Sequence, residues 1–219
     1  MKELRFSDAI STSFKLAINQ FWSVLGAILL WIITIWIPYI NVGTTIGLVR
    51  LQIKLGRGEK ISADEIFDAE NRIPMGKMFL LWSFMATGII MGTIFLIVPG
   101  IVLWYAWFLS SMLILDKKLD PIQAMSKSYD LTYGYKWLIF FITLAINFIY
   151  GVTSVLTDPN TWNITADIDM AYYYYTYNPP LYFFLLLLTI GVSLIGGVWL
   201  MAAYGRIYSV LSGGKKSKK

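Results

Sequence analysis

Long apolar runs separated by short polar stretches dominate this chain. Four of the runs, at 21–40, 78–98, 137–156 and 181–203, meet the requirement of about 20 apolar residues to cross roughly 30 Å of hydrocarbon. Two more, at 40–55 and 101–115, have only about 15 residues each and reach roughly 22–24 Å at 1.5 Å per residue. The pattern predicts an all-α, polytopic helical membrane protein.

Ahead of each pair of runs lies a segment with helix-start signals. Ser62 opens S-A-D-E, a capping box with Glu65, and Ile61 and Ile66 flank it at staple spacing. Asp120 precedes Pro121 as an N-cap before a proline at the first helical position, and Gly134 closes that helix. Ser7 is the candidate cap of the first segment. Ile10, Phe14, Ala17, Ile18 and Phe21 line one face of that segment, as Ile122, Met125, Tyr129 and Tyr133 line one face of the third. Both faces suit the cytoplasmic membrane interface. Aligned without gaps, AISTSFKLAINQFW (9–22) and AMSKSYDLTYGYKW (124–137) share five of fourteen residues. The expected architecture is therefore six transmembrane helices in three hairpins, each preceded by a short cytoplasmic interfacial helix. It forms one domain at 1–211, with units at about 5–58, 59–116 and 117–211, followed by a polybasic tail at 212–219.

Charge orients these elements. The 18 Lys and Arg residues fall in four stretches: three before residue 16, six from Arg50 to Lys77, four from Lys117 to Lys136, and five from Arg206 onward. Because Lys and Arg are retained in cytoplasmic loops, all four stretches belong on one side. The two short runs must then return the chain to that side, by full crossing or as re-entrant helices covered by protein. Both termini are expected in the cytoplasm of a plasma (inner) membrane, with loop 157–180 outside. Arg50 and Lys54 are expected to snorkel to the headgroups.

Composition narrows the chemistry. The chain is 57% hydrophobic and 14% charged and contains neither His nor Cys, so the commonest general base, metal ligand and thiol nucleophile are all missing. The opening MKELRFSDAISTSFK is too polar for the apolar core of a signal sequence, so 21–40 reads as a retained span. No catalytic, cofactor or metal residues are assigned, and nucleic acid is not an expected partner.

The run FLIVPGIVLWYAWFLSSMLILDKKLDPIQAMSKSYDLTYGYKWLIFF resembles a broad family of prokaryotic integral membrane proteins of unknown function, akin to the membrane domain fused to some glycerophosphoryl diester phosphodiesterases. Its signature positions here are Val98, Pro99, Gly100 and Ile101, then Asp116 and Asp120, then Ala124, Ser128, Leu131, Gly134 and Trp137. GLVRLQIKLGRGEKISADEIF resembles the pattern ahead of the family's middle hairpin. The phosphodiesterase catalytic domain itself is absent from this sequence. The resemblance implies a polytopic membrane module and carries over no hydrolytic activity.

The remaining candidates each have a plain structural explanation. Pro99 and Gly100 suit the external turn of the middle hairpin. Gly43 and Gly47, Gly88 and Gly92, and Ser193 and Gly197 are small-residue pairs for close helix packing, within the chain or between copies of it. Asn41, Thr44 and Asn147 are candidates for a polar cavity or for interhelical hydrogen bonds. The spans contain no carboxylate that would hold a coupled proton. Tyr172, Tyr173, Tyr174, Tyr175 and Tyr177 suit an aromatic belt, or a platform for a glycan or headgroup. Asp158, Asp167 and Asp169 suit a solvated loop, and Asn163 heads a glycosylation sequon. Lys215, Lys216, Lys218 and Lys219 suit anionic lipid headgroups, at about 1 kcal/mol each.

These features point to a non-enzymatic accessory or scaffolding module that organises a membrane partner or the local bilayer, with a small oligomeric transporter or lipid-handling protein as the alternative. Expected partners are the bilayer, a membrane protein or further copies of the chain. A cysteine-free chain tests the layout directly. A single cysteine at position 165 is expected to react with an impermeant reagent in intact cells, and one at 118 to be protected; reaction at 118 would refute the layout.

Overall fold

The computed structural model describes residues 3–158 and 178–213, and every regular element among them is helical. The elements are α1 (Phe6–Asn19), α2 (Phe21–Thr34), α3 (Ile40–Arg57), two 3-10 turns (Ala63–Phe67 and Ala69–Arg72), α4 (Met75–Phe95), α5 (Ile97–Trp107), α6 (Ser110–Lys117), α7 (Pro121–Thr132), α8 (Lys136–Thr157) and α9 (Pro179–Leu211). Four helical segments are long and apolar enough to cross a membrane: α4, the α5–α6 pair, α8 and α9. The α1–α2 pair, bent by 76° at Gln20, is a fifth candidate.

The first two expected spans differ from the pattern in the sequence. The helix over 21–40 stops at Thr34, because Pro38 cannot donate a ladder hydrogen bond and Tyr39 turns to φ 73°. What remains of it, α2, is 14 residues long, which is about 21 Å. Helix α3 is longer, but its last two turns carry Arg50, Lys54 and Arg57. Neither qualifies alone as a span.

The middle pair is corrected in the other direction. The turn between α4 and α5 falls at the extended Leu96, and Pro99 sits inside the first turn of α5, where its missing N–H leaves no intrahelical bond unmade. Starting at Ile97, the α5–α6 pair reaches 21 residues and is no longer short. Gly100 is therefore a contact residue and not a turn residue: a Cβ there would lie 2.1 Å from the Thr93 hydroxyl on α4.

The local start signals act as their chemistry requires, with two changes. The Ser62–Glu65 box closes, but on a five-residue 3-10 turn. Asp120 caps α7, and Gly134 ends it at φ 81°. Helix α1 instead begins at Phe6 with Arg5 at its N-cap, so Ser7 lies in the first turn and does not cap.

Helix α9 is the element on which the others converge, packing along α1, α3 and α8. Its contact with α3 is backbone to backbone. A Cβ added to Gly205 would lie 2.0 Å from the Gln52 carbonyl oxygen, and one added to Gly56 would lie 2.0 Å from the Gly205 carbonyl. The contact with α1 is carried by small residues: Ala9, Ser13 and Ala17 are buried, and the Trp199 indole donates to the Ser13 hydroxyl at 3.0 Å. The large residues Phe6, Phe14 and Ile18 face outward.

Helix α7 repeats this arrangement. Ala124, Ser128 and Thr132 are buried while Ile122, Tyr129 and Tyr133 are exposed. The Ser128 hydroxyl donates to the Ala106 carbonyl at 2.7 Å and Thr132 donates to it at 3.4 Å. That carbonyl lies next to the break between α5 and α6, where the helical ladder is interrupted.

The glycines give a direct test. Gly205→Ala is expected to lower stability in detergent by about 3 kcal/mol or more, since backbone atoms cannot make room for the methyl group. A methyl at Gly197 meets nothing within 4 Å, and Gly197→Ala should raise stability by about 0.5–1 kcal/mol through helix propensity. Thermal unfolding of the two variants reads the difference.

Candidate functional site

Polar chemistry among the described residues concentrates where α3, α6 and α9 end and α4 begins. On α3, Arg50, Lys54 and Arg57 follow one another at spacings of four and three and so share one side of the helix. Each reaches a different partner. Arg50 donates from Nε to Asn71 Oδ1 at 3.0 Å and pairs with Glu70 at 3.3 Å. Lys54 pairs with Glu65 at 2.6 Å, and Arg57 pairs with Asp116 at 2.6 Å. Arg50 and Lys54 are thus held by protein carboxylates: the 3-10 turns fold back over α3 and bring Glu70 and Glu65 within reach.

Those turns are seated on α3 by its small residues. A Cβ at Gly47 would lie 2.6 Å from Ile66 Cα, and the Asn71 amide donates to the Glu65 and Ile66 carbonyls at 3.0 and 3.1 Å. Within the same loop the Ser62 hydroxyl donates to Asp64 and, with Asp64's own amide, holds that carboxyl below its ordinary value. Gln20, at the α1–α2 elbow, clasps the approach to the loop, donating to the Glu59 carbonyl at 2.8 Å and accepting from the Ile61 amide at 2.9 Å.

Asp116 is the centre of the network. One oxygen accepts from Arg57, and the other accepts from the Tyr208 hydroxyl at 2.7 Å and faces Lys117 at 3.4 Å. The side chains of Arg57 and Asp116 are only 17% and 14% exposed. With both oxygens engaged by donors from three helices, the carboxylate acts as a clamp. On the other side of α9, Arg206 pairs with Asp8 of α1 at 3.0 Å. Among the described residues no group of acidic side chains is arranged to hold a metal ion.

Two cavities lie between α3, α4 and α6. The first, about 390 Å³, is lined by Arg50, Lys77 and Lys118, by Glu70, and by the apolar Ile73, Pro74, Ile114 and Leu115. The second, about 360 Å³, is lined mainly by aromatic and aliphatic groups that include Trp82, Met85, Ile89 and Phe108, with contributions from α5 and α9. The Trp82 indole donates to the Ser111 hydroxyl at 3.3 Å and ties α4 to α6 along this wall.

The residues singled out from the sequence are distributed as follows. Thr44 meets Thr34 at 2.9 Å, and Trp31 donates to Thr45, which in turn donates to Asn41; these bonds join α2 to α3. Asn147 is separate from them, bonding the Thr143 carbonyl of its own helix, so the three polar candidates do not form one cavity. Gly43 packs on Met75, Gly88 on the Trp107 ring, and Gly92 beside Gly100. Ser193 and Gly197 face outward, and it is Gly196 that receives the Tyr150 ring. Of the signature positions, Ala124 and Ser128 are fully buried and Leu131 is half-buried. Asp158 caps the end of α8. Asn163, Asp167, Asp169, Tyr172, Tyr173, Tyr174, Tyr175, Tyr177, Lys215, Lys216, Lys218 and Lys219 lie outside the described residues.

The convergence of Arg57, Asp116 and Tyr208 was not apparent in the sequence, where Asp116 stood out only as a position of the resemblance and Tyr208 lay beyond the last apolar run. No protein-family model, curated protein or solved structure matches the chain.

The clamp predicts graded losses. Asp116→Leu leaves Arg57 buried without its counter-charge and is expected to cost about 3 kcal/mol. Tyr208→Phe removes one donor and should cost about 1 kcal/mol. Both are read from unfolding in detergent. Equal stability of Asp116→Leu and the parent protein would show that the clamp does not brace the three helices.

Proposed function

We propose that the chain is a non-enzymatic, six-crossing protein of the plasma membrane that acts as an accessory or scaffolding module, organising a membrane partner or the bilayer around it. The observation that carries this reading is the pair of elbow helices. In α1 and α7 the small residues are turned into the helical body and the large apolar residues outward, so each suits a strut lying in the headgroup layer beside the membrane-crossing helices. The matched burial at Ala9 and Ala124, Ser13 and Ser128, and Phe14 and Tyr129 supports descent of the two elbows from one duplicated unit. A full set of six crossings would place α2 and α3 in the membrane as a short pair, thinning the bilayer locally.

A second reading, lipid handling or transport by an oligomer, is favoured by the two cavities between α3, α4 and α6. Mild extraction from the native membrane, followed by native mass spectrometry of the intact complex, separates the two. A stoichiometric foreign subunit is the expected result. A homo-oligomer that retains specific lipids and moves a solute across liposomes would replace the accessory reading with the second one.

A further inference from the structure

We propose that the cavity walled by Arg50, Lys77 and Lys118 binds a phosphate-bearing anion, and that this anion is the headgroup of an anionic phospholipid held laterally between α3, α4 and α6. Three cations against the single carboxylate of Glu70 leave the lining with two positive charges. Their commitments differ. Arg50 is engaged by Asn71 and Glu70, and Lys77 meets Asp120 through an exposed pair, which solvent makes weak. Lys118 forms no ion pair with any described residue, and it adopts φ 54° at the end of α6. A lysine held in the left-handed region, where glycine would fit without strain, lines the cavity at a backbone cost.

The apolar surroundings favour a lipid over free phosphate. Ile73 stands 83% exposed at the cavity edge. The second, apolar cavity is walled by the same three helices farther along α4, so a single ligand with a charged end and an apolar end matches both. From Lys77 to Ile89 the α4 wall runs about 18 Å. The inference rests on the reading that this end of the molecule lies at the cytoplasmic headgroup level. Protection of a cysteine at position 118 tests that reading independently of lipid binding.

The protein is reconstituted in nanodiscs of phosphatidylcholine mixed with phosphatidylglycerol, and the lipid retained after release is counted by native mass spectrometry. The parent protein is expected to retain one phosphatidylglycerol. Lys77→Gln with Lys118→Gly should weaken retention by about twenty-five-fold, the product of roughly fivefold for each lysine. Lys118→Gly relaxes the backbone at that position, so loss of binding by this variant is not loss of fold. Lys127→Gln, which removes a cation outside the cavity, should leave retention unchanged. A second arm adds inorganic phosphate to the protein in phosphatidylcholine alone and follows thermal stability. Stabilisation by phosphate that the double variant loses, without any retention of phosphatidylglycerol, would overturn the lipid assignment in favour of a soluble anion. Retention equal in the parent and the double variant, or reduced as much by Lys127→Gln, would overturn the site.

Discussion

The approach of α3 to α9 at Gly56 and Gly205 is the constraint from which the polar architecture follows. Only two glycines allow these backbones to touch, and the contact fixes the positions of the residues that flank it. Arg57 comes directly after Gly56 and Tyr208 lies one turn beyond Gly205, so the crossing aims both at Asp116. Close packing of the two backbones and the buried hydrogen bonds beside it hold the crossing together. Here the two are coupled, because the close contact creates the geometry of the bonds.

Small residues have a different role in α1 and α7. Ala9, Ser13 and Ala17 allow α1 to lie against α9, and Ala124, Ser128 and Thr132 allow α7 to lie against the break between α5 and α6. The hydroxyl on each stripe meets a need on the neighbouring helix: the Trp199 indole in one case and the freed Ala106 carbonyl in the other. An elbow built this way turns small residues to the protein, while its exposed side carries bulky apolar residues together with charged ones such as Lys15 and Lys127. The face turned to protein is narrow and the face turned outward is bulky.

What was legible in the sequence was local. The Ser62–Glu65 box and the Asp120–Pro121 start involve neighbours three residues apart or fewer, and both are present. The apolar runs marked α4, the α5–α6 pair, α8 and α9 as candidate spans because hydropathy is a property of the segment itself. Interactions between distant segments were hidden. The break at Phe108–Leu109 is stabilised by hydroxyls 22 and 26 residues from Ala106, and Arg57 finds Asp116 across 59 residues. The charge pattern marked Arg50, Lys54, Lys77 and Lys118 as belonging to one side. Which of them would be paired with carboxylates, and which would line the cavity, depended on how the 3-10 turns fold back over α3.

The dominance of α9 has a consequence for how the molecule is made. Ser13 meets Trp199 across 186 positions of the chain, and Gly56 meets Gly205 across a comparable stretch. Translation at about 5–20 residues per second delivers the last helix roughly 7–30 s after α3 has left the ribosome. During that interval the faces of α1 and α3 that later receive α9 are bare, with Arg57 already in place and Tyr208 not yet synthesised. Completion of the fold therefore waits on translation: the amino-terminal half stands as an incomplete receptor until α9 closes it.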